Sequence, residues 1–306
     1  MSTLTSLEPS TPRDATAPTA MPPLSGSRKA KNSLATVLVT AAFLLTVLPL
    51  TWILWTVLKN GFHMLITPDW WTHSQRGMTI RTPGGGAYHA IMGTLLMAAV
   101  TTLISVPIGI FTAIYLVEYG RGRFARVVSF MVDILTGVPS IVSALFIYAV
   151  WVTLFSLERV AFAVSLALVL LMIPVIVRST EEMLKIVPNE LREASYALGV
   201  KKWKTIYRVV LPTAMSGILT GVMLGISRIM GETAPLLILG PYTKSINFNL
   251  FSGNMAALPT MINEERTESL PAAVDRYWAA ALTLILLVMI LNIAARLVAR
   301  RQKVGT

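Results

Sequence analysis

Residues 178–212, RSTEEMLKIVPNELREASYALGVKKWKTIYRVVLP, decide how the rest of the chain is read. They lie between two apolar runs, 160–177 and 213–229, each within the length needed to cross a membrane. Charged residues recur every few positions, and the middle of the stretch is amphipathic. A charged break between two spans belongs in water, and its apolar face then needs a partner there.

Composition agrees with spans on either side. The 306 residues are 54% hydrophobic and 13% charged, against about 25% charge in an ordinary soluble domain. The expectation is an all-α polytopic membrane protein, and at roughly 20 residues per span six transmembrane helices fit. A net charge of +11 would point to nucleic acid in a soluble protein. Here Lys and Arg flank apolar runs, an orientation signal, so lipid rather than nucleic acid is the expected surroundings. The chain has no cysteine, which excludes disulfides and Cys-based metal sites.

Six spans are expected, near residues 34–58, 88–117, 127–155, 160–177, 213–229 and 277–298. Pro49 falls inside the first, Pro107 and Gly109 inside the second, Thr136-Gly-Val-Pro139 inside the third and Pro174 near the end of the fourth. Residues 1–33 read as a disordered cytoplasmic tail, rich in Pro, Ser, Thr and Ala and without the apolar core of a signal peptide; residues 34–306 form the membrane domain. With the N-terminus inside, eighteen Lys and Arg fall on the inner side and seven on the outer, leaving Arg228 within a span. The positive-inside rule then places both termini and residues 178–212 in the cytoplasm. Trp70 and Trp71 read as an interfacial anchor, and Gly84 to Gly86 as a flexible turn. His63, His73 and His89 have no metal-ligand spacing.

Within the stretch, residues 188–199 predict a short helix. Pro188 suits its first turn and Gly199 its C-terminal cap. Leu191, Ala194, Ser195 and Leu198 share one face, while Glu190, Arg192 and Glu193 offer charge to another surface. Nine residues after Gly199 come Val209-Val-Leu211-Pro212.

This pattern, Glu193-Ala194-Ser195, three residues, Gly199, nine residues, then Val209-Val-Leu211-Pro212, resembles the cytoplasmic signature of binding-protein-dependent ABC importer permeases. It departs at Ser195, where the family has Ala, and at Val209, where it has Ile. Thr136-Gly-Val-Pro-Ser-Ile-Val142, residues 173–183 and Arg228-Ile-Met-Gly-Glu-Thr-Ala-Pro-Leu236 are similar to phosphate-specific transport permeases of the A-subunit type, over residues 84–298. The resemblance implies a type I importer fold with an extra first helix. It implies that the segment holding Glu193, Ala194, Gly199, Leu211 and Pro212 is a coupling helix, seated in a groove of a separate ATPase subunit that binds ATP and Mg; no cofactor is expected on this chain. The implied partners are a homologous permease, two ATPase subunits and an extracytoplasmic phosphate-binding protein, in the inner membrane. Importers of another oxyanion, such as sulfate or molybdate, share the coupling signature. A secondary carrier or membrane sensor would not need it.

Three charged residues are candidates for the substrate pathway. A guanidinium in a span costs about 3 kcal/mol on insertion scales, so Arg228 needs a reason. Glu232, one turn on, can pair with it; Arg228 is either half of a structural ion pair or a fork for two phosphate oxygens. Arg178, followed by Glu181 and Glu182, either snorkels to the interface or supplies a second cation at the inner mouth. Asp133 reads as structural. No nucleophile with a base, carboxylate pair or phosphate loop is visible, so ATP hydrolysis is not expected of this chain.

Overall fold

The computed structural model describes residues 26–303, with side chains described as far as 297. Residues 1–25, most of the expected tail, lie outside the described residues, as do the basic side chains at 300, 301 and 303. Contacts divide the chain into two compact units, Met1–Leu54 and Trp55–Thr306.

The first helix, α1 (Gly26–Leu65), begins before Leu34 and runs through Pro49 without a break. Thr36, Thr46 and Thr51 donate their hydroxyls to the carbonyls one turn back, which satisfies a polar group that lipid would leave bare. In the second unit follow α2 (Pro68–Thr72) and α3 (Tyr88–Tyr119), whose last five residues wind as a π turn. Next come α4 (Gly122–Gly137), α5 (Ser140–Leu154), α6 (Ala161–Ile186) and α7 (Asn189–Ala197). The chain closes with α8 (Lys202–Met230), α9 (Ala234–Leu239), α10 (Leu258–Arg266) and α11 (Pro271–Lys303).

The centre of this unit is α6, packed between α3 and α8, with Leu168, Met172, Ile176, Val177 and Leu184 buried. Its neighbours come close because they present glycine. A Cβ on Gly109 of α3 would sit 2.6 Å from Ile176 Cγ2, and one on Gly221 of α8 would sit 2.2 Å from Ser179 Oγ. Gly217 and Gly225, one turn to either side of Gly221, face Met183 and Met172. Gly217, Gly221 and Gly225 thus form the small-residue stripe that lets membrane helices approach closely. Side-chain hydrogen bonds add to it: Ser143 to the Ala167 carbonyl at 2.8 Å, and Asn292 of α11 to Ser227 of α8 at 2.7 Å.

Among the described residues, the five helices long and apolar enough to span are α1, α3, α6, α8 and α11; the pair α4 and α5 makes a sixth if it counts as one broken span. That pair covers the expected span at 127–155, but it bends by 108° at its break. Val138 and Pro139 are extended there, since a residue before proline is kept out of the helical region and proline donates no hydrogen bond.

Two other boundaries differ from expectation. Helix α6 continues past Val177 to Ile186, and α8 begins at Lys202 rather than near Thr213. Most of 178–212 is therefore helix extended from the flanking spans, and residues 187–201 hold the turn between them. Charge does not end a helix that has reached water. Pro188 does, by excluding Val187, which is extended, from helical geometry.

Candidate functional site: the coupling segment and its far end

Two backbone devices shape the segment that holds α7 and the start of α8. At the C-terminus of α7 Gly199 has φ +75°. Its amide reaches the Tyr196 carbonyl at 2.9 Å, and the Val200 amide reaches Ser195 at 3.2 Å, the paired bonds of a Schellman cap. The second device is a π turn at Ile206–Val210, where the Leu211 amide bonds back to Ile206. Pro212, with no N–H to give, follows at once and makes the wide turn favourable. Across the turn that Gly199 makes, Ser195 Oγ meets Thr205 Oγ1 at 2.8 Å, buried. The departure from Ala at Ser195 thus bolts α7 to the start of α8.

Among the described residues, nothing covers the face of α7 away from this bond. Leu198 is 83% exposed; Leu191, Glu193, Ala194 and Pro212 are also exposed, and Leu211 is half-buried. Ser195, expected on the face with Leu191, Ala194 and Leu198, is buried instead. Arg192, expected to offer its charge outward, is turned in against Glu118 of α3. Its guanidinium also meets carbonyls left open at the end of α6, so inward is the favourable direction.

Arg178 joins α6 to α4. It pairs with Glu181 on its own helix and with Asp133, and it donates to the backbone carbonyl and hydroxyl of Ser129, both at 3.0 Å. Two carboxylates already answer its charge, which gives Asp133 the structural part expected of it.

Arg228 and Glu232 stand at the end of α8. The guanidinium Nε lies 3.7 Å from Glu232 Oε1, with the arginine side chain half exposed and the carboxylate mostly covered. The separation is an ion pair rather than a hydrogen bond, so the fork of Arg228 keeps donors free of Glu232. Gly231 to Thr233 interrupt the helix here before α9, and α9 packs against the start of α5, just beyond the Pro139 break. Two interruptions of regular backbone are thus linked by a pair of short helices, as expected where a chain lines a path or a protein contact at membrane depth.

At the opposite end from α7, a buried polar cluster ties the two long loops to α11. Arg276 lies 3.0 Å from Glu265, both almost fully buried, and donates to the Thr82 carbonyl at 2.8 Å. Gln75 bridges Glu265 and Tyr242 at 2.9 and 2.8 Å. Burial, with Glu265 and Glu264 nearby, raises the Tyr242 phenol above its ordinary value. Trp70 belongs to this region: it is fully buried and donates to Thr283 at 2.9 Å. Only Trp71 is exposed, so the pair is half core and half surface rather than one interfacial anchor. Spacing alone announces neither the Arg276–Glu265 pair nor the Arg192–Glu118 pair, whereas the glycines four apart in α8 could have been read. Among the described residues, no group of three His, Asp or Glu is placed to hold a metal.

Residues 105–304 match the family of binding-protein-dependent transport system inner membrane components. The chain is 52% identical over 289 residues to the phosphate transport system permease protein PstA 1 of Mycobacterium tuberculosis (strain CDC 1551 / Oshkosh), covering 94% of this chain and 95% of that one. It is 53% identical to PstA of Mycobacterium leprae, over 92% and 94%, and 40% identical to PstA of Pasteurella multocida, over 88% and 95%. In fold it is similar to a bacterial ABC transporter for the import of alginate (TM-score 0.59, 14% identity, 90% of this chain and 96% of that one). It is also similar to the MetNI methionine ABC transporter in an inward-facing form (TM-score 0.55, 19% identity, 71% and 94%). With a helical bundle of the type I importer kind, a family match across its spans and relatives above half identity along nearly its whole length, the chain belongs to the PstA phosphate transport system permeases, within the binding-protein-dependent inner membrane component family.

Proposed function

We propose that this chain is a membrane permease subunit of an ATP-driven importer of inorganic phosphate, working by alternating access. The observation that carries the substrate is its 52% identity, over 94% of its length, to a permease named for phosphate transport. Its partners are a homologous permease, two ATPase subunits that bind ATP and Mg, and an extracytoplasmic phosphate-binding protein. Both termini and α7 face the cytoplasm, where the excess of Lys and Arg falls.

The mechanism follows from the path of the chain. The ATPase groove takes the uncovered face of α7, with Leu191, Ala194 and Leu198, and Glu193 at its edge. Gly199 and the Ser195–Thr205 bond keep α7 and the start of α8 in fixed register, so closure of the ATPases moves them together. Helix α8 is continuous from Lys202 to Met230, and at 1.5 Å per residue it reaches about 40 Å to Arg228. A displacement applied near Gly199 therefore arrives at Arg228 and at the break before α9. There Arg228 offers a planar pair of donors to two phosphate oxygens, and Glu232 keeps the cation from holding the anion too tightly.

The test is uptake of labelled phosphate by cells that lack this gene and carry it back, with excess unlabelled sulfate in parallel. Restored uptake that is indifferent to sulfate is the expected result. Full competition by sulfate would move the assignment to another oxyanion.

A further inference from the structure

Helix α7 is joined by the chain to α6 and α8, and by side chains to α3. Arg192 Nε and Nη2 donate to Glu118 Oε1 at 3.1 and 2.9 Å. The same guanidinium donates to the Leu184 carbonyl at 2.9 Å, to the Val187 carbonyl at 2.6 Å and to Asn189 Oδ1 at 3.3 Å. Its side chain is 13% exposed and that of Glu118 only 6%. Lys202, at the start of α8, donates to the backbone carbonyl of Glu118 and lies 4.8 Å from the centre of the Tyr119 ring. Glu118 and Tyr119 close the π turn at the end of α3, with the Gly120 amide bonded back to Tyr115 at 2.5 Å.

These contacts do two separate things. The bonds from Arg192 to Leu184 and Val187 satisfy carbonyls that the end of α6 leaves open, a capping role that needs no carboxylate. Glu118 contributes nothing to that cap. It comes from another helix, 74 residues away in sequence, and its side chain and backbone each take a donor from opposite ends of the 188–202 segment. A charge pair with one carboxylate oxygen held by two guanidinium nitrogens resists separation, since parting leaves both charges uncompensated where water is scarce.

We propose that Arg192 and Glu118 are a positioning pair for transport: they carry each displacement of α7 to the end of α3, a spanning helix that the chain does not connect to α7. This rests on α7 being the helix that receives the ATPase stroke. The span of α3 packs on α6, but without the pair its end at Glu118 and Tyr119 lags behind α7, so ATP is hydrolysed with less substrate carried.

The experiment uses the complete transporter in proteoliposomes with its binding protein, measuring phosphate accumulated and ATP hydrolysed in the same samples. Glu118→Gln keeps every carbonyl contact of Arg192 and removes the charge. The expected result is hydrolysis near the wild-type rate with phosphate per ATP down about tenfold, the scale of one charge-assisted hydrogen bond. Arg192→Lys, which retains charge but not the fork, falls between. If uptake and hydrolysis fall together at a constant ratio, the pair only supports the fold and the proposal is overturned. This chain has no cysteine, so Glu118→Cys with Arg192→Cys can be joined by a short bismaleimide. The tether should restore the ratio lost in the unlinked double variant; a tethered complex that hydrolyses ATP without transport would show that the pair must part in the cycle, which also overturns it. Should Glu118→Gln not assemble, the tethered pair decides alone. If the wild-type complex accumulates sulfate instead of phosphate, the substrate reading falls, and the same ratio taken with sulfate still decides the pair.

Discussion

Arg228 carries the heaviest expectation of any single side chain. It stands at the end of α8, half exposed and 3.7 Å from Glu232, so a partner holds its position without using all of its donors. Arg228→Gln should lower kcat/KM for phosphate uptake by roughly 10- to 100-fold, the range of one or two hydrogen bonds to a charged group. Arg228→Lys should recover part of that. Initial uptake rates at equal membrane abundance check both; unchanged uptake in Arg228→Gln would leave the pair a purely structural one. Arg178 presents a contrast. Its chemistry in the sequence is the same, but Asp133 and Glu181 already answer it. Which arginine has donors to spare was not legible, because the deciding carboxylate at position 133 lies on another helix and no spacing along α6 reports it. Glu232 was legible, because its partner is one turn away on the same stretch.

At the scale of the element, the signature at 193–212 was legible as a short capped helix, while the reach of the helices on either side was not. Gly199 acts as the sequence suggests, as a left-handed cap, while the π turn just ahead of Pro212 was not read from the sequence. The helices that flank them reach further into the stretch than hydropathy indicated, since apolar content marks where lipid ends, not where hydrogen bonding along a helix ends. The broken span also shows the limit. Thr136 to Pro139 announced a break, while its 108° angle and the packing of α9 on the start of α5 lie outside local sequence. The stripe of Gly217, Gly221 and Gly225 has a direct consequence. Gly221→Leu must displace Ser179, whose Oγ lies 2.2 Å from the added Cβ, and should destabilise the bundle by about 1–3 kcal/mol. A thermal melt in detergent should show a lower Tm for it and none for Gly137→Ala, where an added Cβ meets nothing within 4 Å.

The second unit, Trp55–Thr306, is a helical bundle whose two ends are built differently. At the first end α7 shows apolar residues that the described residues leave uncovered, with Leu198 83% exposed. At the other the Arg276–Glu265 pair, Gln75 and Tyr242 join both long loops to α11. Helix α8 runs from Lys202, next to the receiving end, to Met230, just past Arg228. An all-α membrane bundle of about six spans was plain from composition. That its ends are so differently built was not, because burial of charge is a property of the assembled helices. At this scale the reading stands on transport being driven by hydrolysis on a separate subunit, acting through α7. The most direct measurement is phosphate accumulation against a gradient in proteoliposomes holding the permease pair and binding protein, with and without the ATPase subunits and ATP. Accumulation is expected only when ATPase and ATP are both present. Accumulation that persists without the ATPase would contradict it and make the chain a secondary carrier.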